Sequence, residues 1–182
     1  MTAPARTSAA RERLLRTASE LFYAEGLRGV GVDRIVSEAA VTRATFYRHF
    51  PGKEALVVAY LQAVDRAVRE RVRGTGAQLL RDLAGTIGDE LCRPGFRGCA
   101  FINAAAEHPD PQDPVHRAVV VHREWLTGTV RAAFAEAGAR DPDDAARRFV
   151  MLRDGAMVAG YLGEPGTAAT TLRAGVEDLL RG

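Results

Sequence analysis

The chain has 182 residues, 26% of them charged, 47% hydrophobic and a formal net charge of +2. That length can bury a real core, and the near-neutral balance excludes a polycation. No apolar run approaches the ~20 residues of a membrane span, and the first residues, MTAPARTSAARERLL, lack the apolar core of a signal peptide, so a cytoplasmic protein is expected. Ala and Leu are abundant and apolar residues recur at helical spacing, which predicts an all-α fold.

The first helix is expected from about Ser8 to Glu25, with Leu14, Ala18, Leu21 and Phe22 on one stripe and Gly26 as its stop. A second helix over Val32 to Ala39 buries Val32, Ile35, Val36 and Ala39, and Asp33 complements the dipole of its first turn. After a tight connection, Thr42 is the expected N-cap of a third helix, Arg43 to His49, which Pro51 closes. A longer fourth helix starts at Lys53 and reaches about Arg73. Five more follow: Ala77 to Leu91, Cys99 to Glu107, Pro114 to Ala137, Ala145 to Leu162 and Ala168 to Arg181. The sum is about nine helices and no strand candidate.

The third helix carries the chemistry. At ~100° per residue Phe46 and Phe50 fall together and face the first two helices. Ala44, Thr45 and Arg48 fall opposite, with Tyr47 and His49 on the flanks. Small or polar groups toward base edges and longer polar groups toward the two backbones suit a helix entering a major groove. On that reading Arg43 and Arg48 reach guanine, Ala44 permits close approach, and Thr45 meets a thymine methyl or a phosphate. Tyr47, His49 and Lys53 hold phosphates, and Thr42 opens the helix. Charge agrees: residues 1–56 hold nine Arg or Lys against six Asp or Glu, and 57–182 hold sixteen against seventeen. An ordinary amphipathic surface helix would show the same periodicity.

The stretch Val32-Asp33-Arg34-Ile35, Ala39-Ala40-Val41-Thr42, Thr45-Phe46-Tyr47-Arg48-His49-Phe50 and Lys53-Glu54-Ala55-Leu56 resembles the helix-turn-helix of the TetR family of transcriptional regulators. The resemblance covers residues 10 to 60, and GCAFINAAAE at 98–107 is similar to a segment of some members. There are two departures: Gly31 stands where the family has Thr or Ser at the start of the second helix, and Ala40 stands where it has Gly in the turn. A left-handed residue there would cost Ala ~1 kcal/mol.

The resemblance implies a three-helix DNA-binding domain over 1–52 and a helical ligand-binding and dimerisation domain over 53–182. It also implies a homodimer through the last two helices, where Gly155, Ala156, Ala159 and Gly160 permit close packing, bound to a double-stranded palindromic operator. A small-molecule effector, unspecified by sequence, would release a repressor from that DNA. Candidate cavity residues are Phe101, Asn103, Trp125, Met151, Met157 and Tyr161, a mixture suited to an apolar ligand with a few polar groups.

Two alternatives stand beside this reading. Cys99, near Arg97 and a helix start, could serve as a sensor of electrophiles or oxidants. The chain could also be a helical small-molecule-binding protein with a vestigial DNA motif. Two cysteines, Cys92 and Cys99, do not make a disulfide framework. His116 and His122 are six residues apart and share no helical face, so a metal site would need Glu107, Asp110 or Glu124 as well. No HExxH, CxxC, GxSxG or Gly-rich phosphate loop is present, so no enzyme, metal or cofactor is expected.

Overall fold

The computed structural model describes residues 8–182. The expected DNA-binding segment therefore begins, at residues 1–7, outside the described residues. Nine α-helices and no strand occur among the described residues: α1 (Ala9–Glu25), α2 (Val32–Glu38), α3 (Arg43–His49), α4 (Lys53–Arg71), α5 (Gly76–Leu91), α6 (Ala100–Glu107), α7 (Pro114–Glu136), α8 (Pro142–Tyr161) and α9 (Pro165–Arg181). The fold is all-α as expected. None of these helices is long and apolar enough to cross a membrane.

The largest boundary differences lie at α8 and α9, each of which starts three residues earlier than the apolar pattern suggests. Both begin on a proline, which fits the first turn because its missing N–H would have no intrahelical partner there. At α8 the Asp141 carboxylate also accepts from Asp144 N at 2.9 Å, so a cap outside the hydrophobic stripe sets the start.

The first three helices close on a small core of Leu14, Ala18, Phe22, Ile35, Phe46 and Phe50, all buried. The turn between α2 and α3 is a Schellman motif: Val41 N donates to Val36 O at 3.2 Å and Ala40 N to Ser37 O at 3.1 Å. This motif needs a left-handed residue, and Ala40 supplies it with φ of 49°, the one non-glycine at positive φ among the described residues. The strain is the one the departure from Gly implies. Ala40→Gly is expected to raise stability by up to about 1 kcal/mol, read as a shift of the denaturant midpoint with unchanged slope.

The other helices form a second layer. α8 and α9 are an antiparallel pair in such close contact that a Cβ built at Gly175 would lie 2.3 Å from Leu152 Cδ2. α5 packs on α9, and Gly88 makes room for Arg173 and Ala169. Phe134 of α7 and Phe149 of α8 meet edge-on at 6.3 Å. α4 joins the layers, since Tyr60 packs on Phe22 of α1 while Asp65 bonds His122 of α7.

Candidate functional site

The first candidate surface is α3. Thr42 caps it, its Oγ1 accepting from Thr45 N at 3.1 Å. Phe46 and Phe50 point inward and are fully buried. Tyr47 is 53% exposed and packs edge-on against Phe46 at 5.1 Å, so the core fixes the base of a tyrosine whose hydroxyl has no partner among the described residues. Ala44, Arg43 and Arg48 are exposed. Thr45 and His49 are half-buried: the Thr45 hydroxyl lies 3.0 Å from Thr42 Oγ1, and His49 Nε2 lies 3.3 Å from Ser8 Oγ at the start of α1.

Two of the cations are held by neighbours. Arg43 pairs with Asp33 of α2 through Nη2 at 2.6 Å, both side chains being exposed. Such a pair is worth about 0–1 kcal/mol, so a phosphate or guanine can displace it. Lys53 is half-buried and donates from Nζ to Arg28 O at 3.3 Å. Burial pushes its pKa down, opposed by the carboxylate of Glu107. On α3, Arg43, Ala44, Tyr47 and Arg48 are exposed together, and Lys53 opens the next helix with its side chain on the α1–α2 turn.

The second candidate is a cavity of about 600 Å³ among α1, α4, α5, α6, α7 and α8. Its size suits a small molecule. Phe101 and Met157 lie on its wall, as do Tyr60, Cys99, His122 and Arg153. Asn103 and Tyr161 line a separate recess of about 280 Å³ beside the α1–α2 turn. Asn103 Nδ2 there donates to Arg97 O at 2.9 Å, and the Arg97 guanidinium lies over the Tyr161 ring. Trp125 stands behind His122, with Arg69 stacked 4.5 Å over its ring, and is not on the cavity wall. Met151 corrects the expectation outright: it is 72% exposed, because it lies on the face of α8 opposite Phe149 and Arg153.

His122, considered in sequence only as a metal ligand, is a wall residue. Its ring stacks on Phe101 at 3.6 Å and 2°, and Nδ1 meets Asp65 Oδ1 at 2.7 Å. Burial lowers its pKa; Asp65 opposes this, while Arg153 and Arg69 add to it. The ring is therefore neutral near pH 7, with Nδ1–H donating to Asp65. A neutral folded form means the unfolded chain binds the extra proton. Stability from His122 is present above about pH 6.5 and is lost as pH falls from there through the lower folded value. His122→Gln is expected to flatten that part of the stability profile, read as urea midpoints at about pH 7.5 and 5.5. His116, the other histidine of that candidate set, is engaged locally, its Nδ1 meeting His108 O at 2.8 Å.

Arg153 is the cavity residue that sequence reading missed. It was visible as the one cation on the stripe Phe149, Arg153, Ala156, Met157, where an apolar residue would be expected. Cys99 is buried, with Arg153 Nη2 lying 3.1 Å from its Sγ.

Side-chain contacts tie the cavity wall to α1 and to the turn between α1 and α2. α6 carries Phe101 at the cavity and ends at Glu107, whose carboxylate accepts from Leu27 N at 2.9 Å and Arg28 N at 2.6 Å in the α1–α2 turn. Tyr23 of α1 adds a second tie, accepting from Arg97 N at 3.0 Å and donating to Gly98 O at 3.2 Å.

Residues 14–60 match the family model described as bacterial regulatory proteins, tetR family. Over 94% of this chain and 94% of the other, the fold is similar to the TetR-family transcriptional regulator SCO4454 from Streptomyces coelicolor, with 51% identity and a TM-score of 0.91. The HTH-type transcriptional regulator TcmR of Streptomyces glaucescens is 35% identical over 85 residues, 46% of this chain and 38% of that protein. The HTH-type transcriptional repressor NemR of Escherichia coli is 28% identical over 121 residues, 60% and 59% of the two chains. The matches to the curated regulators TcmR and LmrA thus span only 38% and 34% of their lengths.

Proposed function

Since the chain belongs to the TetR family of transcriptional regulators, a family without enzymatic activity, we propose that it is a homodimeric repressor. It binds a palindromic operator through α3 and is released by a small molecule in the α4–α8 cavity. The observation that carries this reading is the exposed face of α3 set on the buried Phe46–Phe50 anchor, with α6 linking the cavity to the turn between α1 and α2.

Residues 1–52 would hold the DNA and 53–182 the effector and partner subunit. In the dimer, α8 and α9 would pair with their copies. Met151, Gly155 and Val158 of α8 and Leu162 just past its end fall on one face, and the three large side chains are exposed. Ala156 and Gly160 instead pack within the chain, Gly160 against Leu91 and Phe96. Two recognition helices about 34 Å apart enter successive major grooves, so an effector that prefers a wider spacing releases DNA. In that complex Thr42, Thr45 and His49 would contact the backbone beside Tyr47 and Lys53, and Arg43, Ala44 and Arg48 would read bases. The gene's upstream DNA tests this: Tyr47→Ala should weaken binding to operator and random DNA alike, whereas Arg48→Ala should lower operator affinity by about 1–3 kcal/mol and relax the preferred sequence. Equal losses for both variants on both DNAs would remove the base-reading role of Arg48.

A second reading is favoured by one contact, the Arg153 guanidinium on the Cys99 thiol at the cavity wall. A soft electrophile could bond to Sγ, with the thiol proton passing to the adduct or to water. Cys99→Ser separates the two: release of DNA by electrophiles that survives this substitution rules out the covalent sensor.

A further inference from the structure

The cavity wall holds a charge that the protein does not balance. Arg153 is 8% exposed and lines the cavity. Its Nη1 donates to Asp154 Oδ1 at 2.8 Å and Nη2 rests on Cys99 Sγ at 3.1 Å. Nε has no hydrogen-bond partner among the described residues. Asp154 cannot neutralise Arg153 alone, because Arg123 Nη2 takes its other oxygen at 2.6 Å. One carboxylate shared by two guanidiniums leaves one positive charge over, and Arg153 is the member buried at the wall. A guanidinium N–H without a partner is unfavourable in such a place unless something else fills it.

Among the described residues no carboxylate other than Asp154 pairs with Arg153. Phe101, Leu126 and Met157 are apolar, and His122 is neutral and committed to Asp65. The lining carboxylates are Glu20, Asp82 and Glu90; Glu90 is paired with Arg93 at 2.7 Å, and Arg71 and Arg73 also line the cavity. The lining therefore carries four arginines against three carboxylates. Nε and Nη2 form the side of a guanidinium that matches a carboxylate with two parallel N–H···O bonds. Here Nε is buried without a partner and Nη2 is covered by the Cys99 thiol, which a carboxylate seated on this edge would displace.

We infer that the cavity takes a ligand with one carboxylate on an apolar body, the carboxylate seated on the Nε–Nη2 edge of Arg153 and the body against Phe101, Leu126 and Met157. The inference rests on reading this cavity as the effector site, and it names the effector's chemical class. Tyr60, buried on the same wall, is kept protonated by that burial and is a further hydrogen-bond donor lining the cavity.

The test titrates the full chain, without DNA, with straight-chain monocarboxylates of six to about twelve carbons, 4-phenylbutyrate and the primary amide of each. Trp125, the chain's one tryptophan and 5.6 Å from His122, reports binding by fluorescence, and calorimetry checks it. At least one acid should saturate with a Kd about ten- to a hundredfold below that of its amide. Arg153→Met should bring the two within about threefold, and Arg153→Lys, which keeps the charge without the fork, should retain part of the preference. Intact mass should be unchanged, since no adduct forms at Cys99. The inference is overturned if acids bind no better than amides, if none saturates by about 5 mM, or if the methionine variant keeps the preference. Should that variant fail to fold by circular dichroism, the wild-type comparison and the lysine variant decide. Repeating the titration on the operator complex keeps the two readings apart. Acid that binds with preference yet leaves DNA bound removes the effector role and keeps the anion site. Acid and amide that release DNA equally keep the effector role and remove the anion site.

Discussion

Phe46→Ala is expected to lower stability by about 3–5 kcal/mol and to abolish operator binding. Phe46 is fully buried at the centre of the α1–α3 core, 6.1 Å from the ring of Phe50 and edge-on to Tyr47. Truncation opens a cavity in a cluster too small to relax around it, against a total stability of about 5–15 kcal/mol for a domain. It also removes the surface that fixes Tyr47. The check is guanidinium unfolding beside DNA titration. Phe46→Leu, which keeps most of the volume, should recover most of both. Unchanged stability in Phe46→Ala would mean that α3 is not anchored by this ring.

Glu107→Ala is expected to uncouple the cavity from the DNA while costing about 2 kcal/mol of stability. The Glu107 carboxylate bridges two successive backbone amides, Leu27 N and Arg28 N, in the turn that precedes α2. Gly26, at φ of 86°, opens that turn, and a Cβ on it would lie 3.3 Å from Glu107 Oε1. Six residues separate Phe101 from Glu107 on α6, about 9 Å along the helix axis. A shift of α6 at the cavity therefore reaches the base of the helix-turn-helix through one carboxylate. In Glu107→Ala the Leu27 and Arg28 amides should exchange with solvent faster, and an effector should still bind but release DNA less. Glu107→Gln, which retains one strong acceptor, should fall between. Full release by effector in the alanine variant would place the coupling elsewhere, with the Tyr23 tie the next to test.

The parts legible in the sequence were those governed by local rules. The period of α3 gave its inward phenylalanines, the Thr42 cap gave its start, and the departure from Gly at position 40 foretold a strained left-handed alanine. Local rules failed where tertiary packing decides. Met151 and Met157 are equally apolar, yet one faces solvent and the other the cavity, because six residues along α8 they sit on different faces. Thr45 and His49 share a flank partly covered by Thr42 and Ser8, which a helical wheel of α3 alone does not include. Arg153 and His122 became site residues only when α4, α6, α7 and α8 brought Asp65, Phe101 and Cys99 beside them. The signal for Arg153 was present all the same, as a cation on a buried stripe.

The chain is expected to hold a specific DNA site as a dimer and to let go when the cavity fills. The most direct measurement is a footprint of the purified chain on the DNA upstream of its own gene, titrated over salt concentration. The expected result is protection of an inverted repeat with half-sites about 34 Å apart and affinity falling linearly in log–log with salt. In Arg48→Ala that protection should weaken by about 1–3 kcal/mol and lose part of its preference for the repeat. Binding that is equal on operator-sized random DNA, or absent altogether, would contradict it and leave a helical small-molecule-binding protein.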